Sequence, residues 1–404
     1  MRTVGIIKAT CACLCLLTGR ASCQTDFEMG GKQFQVHGFA SQGFAYSNQN
    51  NFLSMKTSDG SFALTDGGVN ISSRLTPRFR VGAQVYMRNV GNIGNWRPTL
   101  DWAYGDYRFN DWIGIRAGRV KTAMGLYNDT QDAEFVHTYA LLPQAVYSLD
   151  LREATIAHNG VDAYGSIPLR GAGTLAYTVY TGKRQDSIHG GYPYLLRGLA
   201  TIDLDSYGGV QWGGDLKWMT PLSGFLVGAS HMNASTTGKG IGPTRPGNRT
   251  EYGPYKETSN KDQTSQFSAQ YTVGALRIDA EYRRYWRDQD IYNGQANSTT
   301  DARGWYTAGA YRISKRFEAG SYFSRFVLKS RGSPSTKPGD FPINDKVITL
   351  RTDVTKYWNV KVEGHFIRGN GGGSPYPTGF YRVDNPAGLF NDTNMLLIRT
   401  GWNF

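Results

Sequence analysis

The sequence predicts an all-β protein: an up-and-down antiparallel β-barrel of about sixteen strands that crosses a membrane. Three observations carry this. Apolar and polar residues alternate with period two along nearly the whole chain, while a 3.6-residue apolar pattern is almost absent. Short turns and long polar connections strictly alternate, as they do when every hairpin has one end on each side of a bilayer. Gly reaches 50 of 404 residues and Tyr (25) exceeds Phe (19), yet mean hydropathy is −0.44. Beyond residue 23 no segment offers the roughly 18 continuous apolar residues of a membrane helix.

The chain opens with a leader. Arg2 and Lys8 are basic, Ala9 to Leu17 is apolar, and Ala21-Ser22-Cys23 supplies small residues for cleavage, which predicts a signal peptide over 1–23 and a single barrel domain over 24–404. All four cysteines (Cys11, Cys13, Cys15, Cys23) fall in the leader, so the exported chain uses neither disulfides nor a Cys metal site. A lipidated Cys23 is the competing reading, opposed by Arg20 where such a site wants an aliphatic residue.

Strands follow near 32–46, 68–76, 78–89, 98–109, 111–120, 156–167, 173–182, 210–220, 223–232, 263–273, 275–287, 304–313, 316–328, 346–357, 359–368 and 393–404. The segment 78–88 shows why: Phe79, Val81, Ala83, Val85 and Met87 form one face, Arg78, Arg80, Gln84, Tyr86 and Arg88 the other. Likewise Leu276, Ile278, Ala280 and Tyr282 oppose Arg277, Asp279, Glu281 and Arg283. Tight turns are expected at Pro77, Asn110-Asp111, Pro168 to Ala172, Pro221-Leu222, Gly274, Ser314-Lys315 and Trp358, with eight long connections between the others. Gly371-Gly372-Gly373 in the last of these has no strand-to-helix context for a phosphate cradle, and Asn248-Arg249-Thr250 in the fifth carries no functional weight.

A soluble β-sandwich also alternates, but arginines on the inner face would make a poor dry core. An Arg facing lipid at mid-bilayer costs about 2–4 kcal/mol, so Arg80, Arg277, Arg283, Arg351 and Arg399 are expected to point inward, and Arg284, on the apolar parity, to sit at a rim. Trp96, Trp102, Trp112, Trp212, Trp218, Trp286, Trp305, Trp358 and Trp402 near strand ends fit interfacial girdles. Lys and Arg total 44 against 32 acidic residues, a formal charge of +12, and they are spread along the chain; nucleic-acid binding would want them clustered.

The terminal Phe404 on an amphipathic strand resembles the insertion signature of bacterial outer-membrane proteins, and sixteen strands with eight outer loops resemble the trimeric porins. The stretch Ala117-Gly118-Arg119-Val120-Lys121-Thr122-Ala123-Met124-Gly125-Leu126-Tyr127-Asn128-Asp129 is similar to a segment of the phosphate-selective porin O and P-like proteins, with Ala123-Met124 in place of Pro-Phe. The resemblance implies an outer-membrane homotrimer in which the third loop, about 121–153, folds into the lumen. Leu126, Phe135, Val136, Leu141, Leu142 and Val146 agree, being too apolar for a loop left in water.

A pore selects by diameter and by the charge lining it. Arg78, Arg80, Arg88, Arg116, Arg277, Arg283, Arg351, Lys361 and Arg399 are the candidate lining, with Arg119 and Lys121 at the mouth of the third loop and Tyr127, Asp129, Asp132 and Glu134 within it. Basic groups outnumber acidic ones on this face, which predicts passive passage of small hydrophilic solutes with an anion preference; dedicated phosphate selectivity is the alternative. Pairing of Arg351 with Asp353 and of Lys361 with Glu363 would weaken that field. Asp129, Asp132 and Glu134 read as a field facing the arginines rather than a divalent-ion site. A barrel hydrolase is disfavoured because the six His are scattered and no G-x-S-x-G occurs, and a plugged structural or adhesin barrel remains as a third class. The expected partners are the bilayer, small hydrophilic or anionic solutes and two further copies of the chain; neither a cofactor nor nucleic acid is implied.

Overall fold

The computed structural model describes residues 25–248, 250–331, 341–371 and 379–404. The leader expected over 1–23, with Cys11, Cys13, Cys15 and Cys23, and also Arg249, Gly372 and Gly373, lie outside them. The described strands are β1 (Thr25–Met29), β2 (Lys32–Ser47), β3 (Ser61–Thr76), β4 (Phe79–Val90), β5 (Thr99–Asn110), β6 (Ile113–Lys121), β7 (Ala157–Pro168), β8 (Thr174–Gln185), β9 (Asp203–Met219), β10 (Phe225–Pro243), β11 (Tyr252–Val273), β12 (Leu276–Ile291), β13 (Ala296–Arg312), β14 (Phe317–Arg331), β15 (Phe341–Asp353), β16 (Trp358–Arg368) and β17 (Asp392–Asn403).

From β2 onward each strand pairs antiparallel with the next, and β17 pairs back onto β2 from Asn403↔Phe39 to Met395↔Ser47. The result is a closed ring of sixteen. Closure leaves no sheet edge, which is the condition for a sheet to sit in hydrocarbon with its backbone satisfied. The short β1, which the alternation did not reveal, pairs with β2 from Met29↔Lys32 to Thr25↔Val36. Phe404 and Gly38 exchange both backbone hydrogen bonds, at 2.8 and 3.0 Å, where β17 runs out, so β1 takes up the part of β2 that β17 leaves unpaired.

The two faces follow the predicted parity. On β4, Gln84, Tyr86 and Arg88 are buried while Val85 and Met87 are exposed; on β12, Glu281 is buried while Ile278 and Tyr282 are exposed. Apolar outside and polar inside is the inverse of a soluble sandwich. The exposed aromatics Tyr107, Phe109, Trp112, Trp218, Phe317, Trp358 and Trp402 gather at the turn end.

The expected boundaries shift in one direction. The turn expected at Trp358 lies over 354–357, because β15 ends at Asp353 and Trp358 opens β16. At the other end β10 runs on to Pro243 and β11 begins at Tyr252; β12 and β13 are joined by residues 292–295 alone, so this connection is not long. Above the membrane belt both faces of a strand meet water and the polarity contrast disappears, although the ladder continues. The helix α1 (Gly191–Ala200), also unforeseen, lies over the loop end, where Leu195 packs with Ile93 and Tyr381 and Tyr194 donates to Asp384 at 2.5 Å. A dry core of Leu53, Leu64, Leu141, Phe326, Leu328, Phe380 and Leu397 lies within the loop half of the ring.

Candidate functional site: the bore and its third loop

The third loop leaves β6 at Lys121 and rejoins the wall at Ala157. Gly125 sends it across the bore. Its φ is +61°, and a Cβ there would lie 2.0 Å from Gln266 Nε2 and 2.5 Å from Glu281 Oε2, so the chain can press flat on the wall of β11 and β12 only without a side chain. At the far wall a Cβ on Gly304 of β13 would meet the Ala145 carbonyl oxygen at 1.8 Å.

Polar ties hold the loop to both sides. Beside β4 and β5, Glu153 pairs with Arg88, Arg152 with Asp101 at 2.8 Å, and Asp132 accepts from Gln84. Across the bore, Tyr127 donates to Asp279 at 2.6 Å, Tyr147 donates to Glu281 at 2.5 Å and Tyr139 donates to the Gly309 carbonyl at 2.9 Å. On β15 to β17, Arg351 donates to the His137 carbonyl at 2.9 Å, Glu134 pairs with Lys361, the amides of Ala140 and Leu141 donate to Glu363, and Arg399 donates to the Ala140 carbonyl at 2.8 Å. Thr122, Asn128, Thr138, Leu141, Val146 and Arg152 of the loop are in consequence almost fully buried.

These contacts sort the candidate lining. Arg88, Lys361 and Arg399 are sealed beneath the loop as its anchors, Arg399 also pairing with Asp66 at 3.0 Å, so they are not the water-facing groups expected. Arg351 pairs with Asp353 as expected, at 2.7 Å; Lys361 does not pair with Glu363, which instead takes His365 and the two loop amides. Asp132 and Glu134 hold Lys121 and Lys361 rather than forming a free acidic field, and Lys121 also donates to the Asp129 carbonyl at 2.6 Å. Arg119 stands in the ladder opposite Ala103 and Asn159, on the alternate positions of the exposed Ile115 and Val161, and is therefore on the outer wall. Its guanidinium donates to the Asp101 carbonyl and to Asn159 Oδ1. Arg78 is in the tight turn after β3, and Arg80 is exposed near it, donating to Ser72 at 3.4 Å. Arg283 donates to the Val146 carbonyl at 2.7 Å and lines a cavity of 40 Å³ on the loop side together with Gln144, Arg184 and Thr264.

Below the third loop the turn half of the bore opens into cavities of 300 and 410 Å³. The first is lined by Tyr127, His137, Lys217 and Arg277, the second by Phe135, Arg316, Arg351 and Lys356. Here the ion pairs are asymmetric. In Arg116–Asp162 the cation is 22% exposed and the carboxylate 0%; in Lys217–Asp215 the figures are 27% and 7%, in Arg277–Asp279 29% and 2%, and in Arg312–Glu318 37% and 9%. In these four pairs the carboxylates lie against the wall and the cations reach into water; in Arg351–Asp353, at the second cavity, the order is reversed, 13% against 21%. Arg116 and Arg277 are expected from the sequence to face inward, but it does not show which partner of each pair meets water.

Burial also tunes the loop. It pushes the His137 imidazole down to about 3, helped by Lys361 and Arg277 and opposed by the bond to the Thr130 carbonyl at 2.8 Å. At Asp132 burial is outweighed by Lys121 and Arg152, which hold the carboxyl below its ordinary value. Among the described residues no group of three or more His, Cys, Asp or Glu is placed to hold a metal ion.

A sixteen-stranded ring with a connection lodged across its bore defines the porin class of β-barrel, and this is the fold of the bacterial outer-membrane porins. The chain is similar to OmpF of Salmonella typhi, solved with daunomycin (12% identity, 94% of this chain and 100% of that one, TM-score 0.58), and to an anion-selective porin of Comamonas acidovorans (10%, 92% and 100%, 0.55). It is likewise similar to OmpT of Vibrio cholerae, solved in a trimer form (11%, 92% and 99%, 0.54). No protein-family model matches the chain, and no curated protein sequence matches it.

Proposed function

We propose that the chain forms an outer-membrane channel through which small hydrophilic solutes pass passively, anions in preference to cations. One observation carries the preference: in four turn-side pairs, Arg116–Asp162, Lys217–Asp215, Arg277–Asp279 and Arg312–Glu318, the cation is the member that meets water, against one, Arg351–Asp353, in which the carboxylate does so more. A solute in the bore therefore meets N–H donors before it meets carboxylate oxygens, although the pairs are close to neutral overall. The exposed apolar outer wall and the likeness to OmpT of Vibrio cholerae, solved in a trimer form, support a membrane-embedded homotrimer. Arg119 is held by the Asp101 carbonyl and Asn159 while Lys121 is tied to Asp132 of the loop, and this separate commitment speaks against a phosphate-specific site at the mouth of the third loop.

The channel reading is also favoured over a hydrolase. His231 Nδ1 and Ser265 Oγ lie 2.9 Å apart, but they share the outer wall with Trp212, and no carboxylate among the described residues bonds to that ring to orient it. The two-sided anchoring of the third loop favours a small unit conductance. Reconstitution in a planar bilayer under a salt gradient tests the proposal: discrete small steps with a zero-current potential of anionic sign are expected. A cationic sign would overturn the charge argument, and the absence of any conductance would leave a plugged barrel.

A further inference from the structure

The apolar residues of the third loop need a dry partner, and the fold provides one for only some of them. Leu141 and Val146 are 3% and 1% exposed, but Val136 stays 45% exposed and Leu126 only half-buried. Both open onto the 300 Å³ cavity below the loop. From the wall Leu226 of β10 enters the same cavity, and Met219, opposite it in the ladder and therefore on the same face, is also exposed. A bore that passes only hydrated ions gains nothing from bare Val and Leu. Apolar surface left facing water in a recess marks a place that something apolar covers.

The same recess is charged along its sides. Lys217 on β9 and Arg277 on β12 line it, with Leu226 and Gln270 on the two strands between them. Lys217 Nζ stands 3.6 Å from Asp215, beyond hydrogen-bond reach, so its donors are left to water. Arg277 gives Nε to Asp279 at 3.1 Å and Nη2 to Thr138 at 2.8 Å, which leaves Nη1 without a partner among the described residues. Asp215 and Asp279 lie against the wall, and Asp129 of the loop is the exposed carboxylate near Lys217. Tyr127, its ring set nearly at right angles to His137 with centroids 5.3 Å apart, adds an aromatic surface from the loop side.

An apolar floor with a few placed polar groups holds an organic ligand rather than a bare ion, and 300 Å³ suits a small one. Chloride or phosphate would use the cations and leave Val136 and Leu226 wet. A neutral apolar molecule would leave the cations unused. We propose that this recess is a binding subsite for a carboxylate carried on a single aromatic ring. Lys217 and Arg277 hold its charge, and its ring lies between Leu126, Tyr127 and Val136 of the loop and Leu226 of the wall. The proposal names the class of anion within the anion-channel reading and rests on that reading. A solute lodged there sits directly below the loop and obstructs the bore while bound.

The test is single-channel recording of the whole protein in a planar bilayer in potassium chloride, with phenylacetate, acetate or benzyl alcohol added at equal concentration. Phenylacetate is expected to interrupt the current with resolvable dwell times, at an affinity about 10-fold above that of acetate, which carries the charge without the ring. Benzyl alcohol, the ring without the charge, leaves the current uninterrupted. Each variant is compared with its own current in the absence of additive. Val136→Ser is expected to weaken phenylacetate about 3-fold with acetate unmoved. Lys217→Gln is expected to weaken it about 5-fold at low salt and less at high salt, where screening is stronger. Equal block by acetate and phenylacetate, equal block by benzyl alcohol, or a phenylacetate block that neither variant changes would each overturn the subsite. An anion-selective channel that phenylacetate never interrupts refutes the subsite alone; a channel of cationic sign, or no channel, refutes the reading beneath it.

Discussion

Lys361 of β16 and Glu134 of the third loop form an ion pair inside the bore, with exposures of 0% and 4%. Removing one partner of such a pair leaves an unpaired buried charge and costs about 3–5 kcal/mol. Lys361→Met is therefore expected to release this stretch of the loop, seen as new protease cleavage near Glu134 and a larger, noisier unit conductance. Adding Glu134→Gln removes the stranded charge and should restore most of the protection. Equal cleavage in the single and double variants would refute the anchoring role.

Lys217 and Arg277 present their charge to the vestibule while Asp215 and Asp279 stay against the wall. Lys217→Gln with Arg277→Gln is expected to move the zero-current potential toward cations, lowering the anion-to-cation permeability ratio by about twofold at low salt and less at 1 M, where screening shortens to about 3 Å. A potential that does not move would show that selection occurs elsewhere.

Gly304 touches the loop backbone at Ala145. Gly304→Val puts a branched side chain where only hydrogen fits. The barrel ladder is left intact, so the expected outcome is an unchanged folded barrel with the loop displaced and a higher unit conductance; a conductance equal to the wild type would mean that the loop does not limit flow.

Acid should loosen the same loop. His137 is driven down to about 3 when buried and returns to its ordinary 6.5 when the loop lifts away. The undocked state therefore binds the extra proton between those values, so docking is at full strength above about pH 6.5 and weakens as pH falls through that window. Asp132, depressed in place, adds to the loss in strong acid. Open-channel noise is expected to grow from pH 7 to pH 5 and to stay flat in His137→Gln. An identical pH response in that variant would assign the titration to another group.

Alternation made the barrel legible because lipid on one face and water on the other impose a strict period of two. β4 and β12 could be read residue by residue. It fell silent where both faces are wet, as in Thr236 to Pro243 and the first half of β11, and in α1, which is short and contains Pro193. Inward arginines were legible by the same logic, and so was Arg351 with Asp353, two residues apart on one strand. The partners of Arg88, Lys361 and Arg399 were not, because Glu153, Glu134 and Asp66 are remote in sequence, and for Lys361 and Arg399 only closure of the ring brings them near. Arg119 was placed at the loop mouth by a short motif and not by parity, and such a motif says nothing about which side of the wall a residue faces.

The third loop's last anchors arrive late. The groups that hold Ala140 belong to Glu363 and Arg399, 223 and 259 residues further along the chain. Such distant contacts form only after the entropy of closing so long a segment has been lost. The loop can settle only once β16 and β17 have sealed the ring, so a newborn barrel passes through a stage in which its bore is wide and its buried charges are still hydrated. The docked loop is thus the last part of the molecule that can form, since its anchors at Glu363 and Arg399 lie on the final strands of the ring.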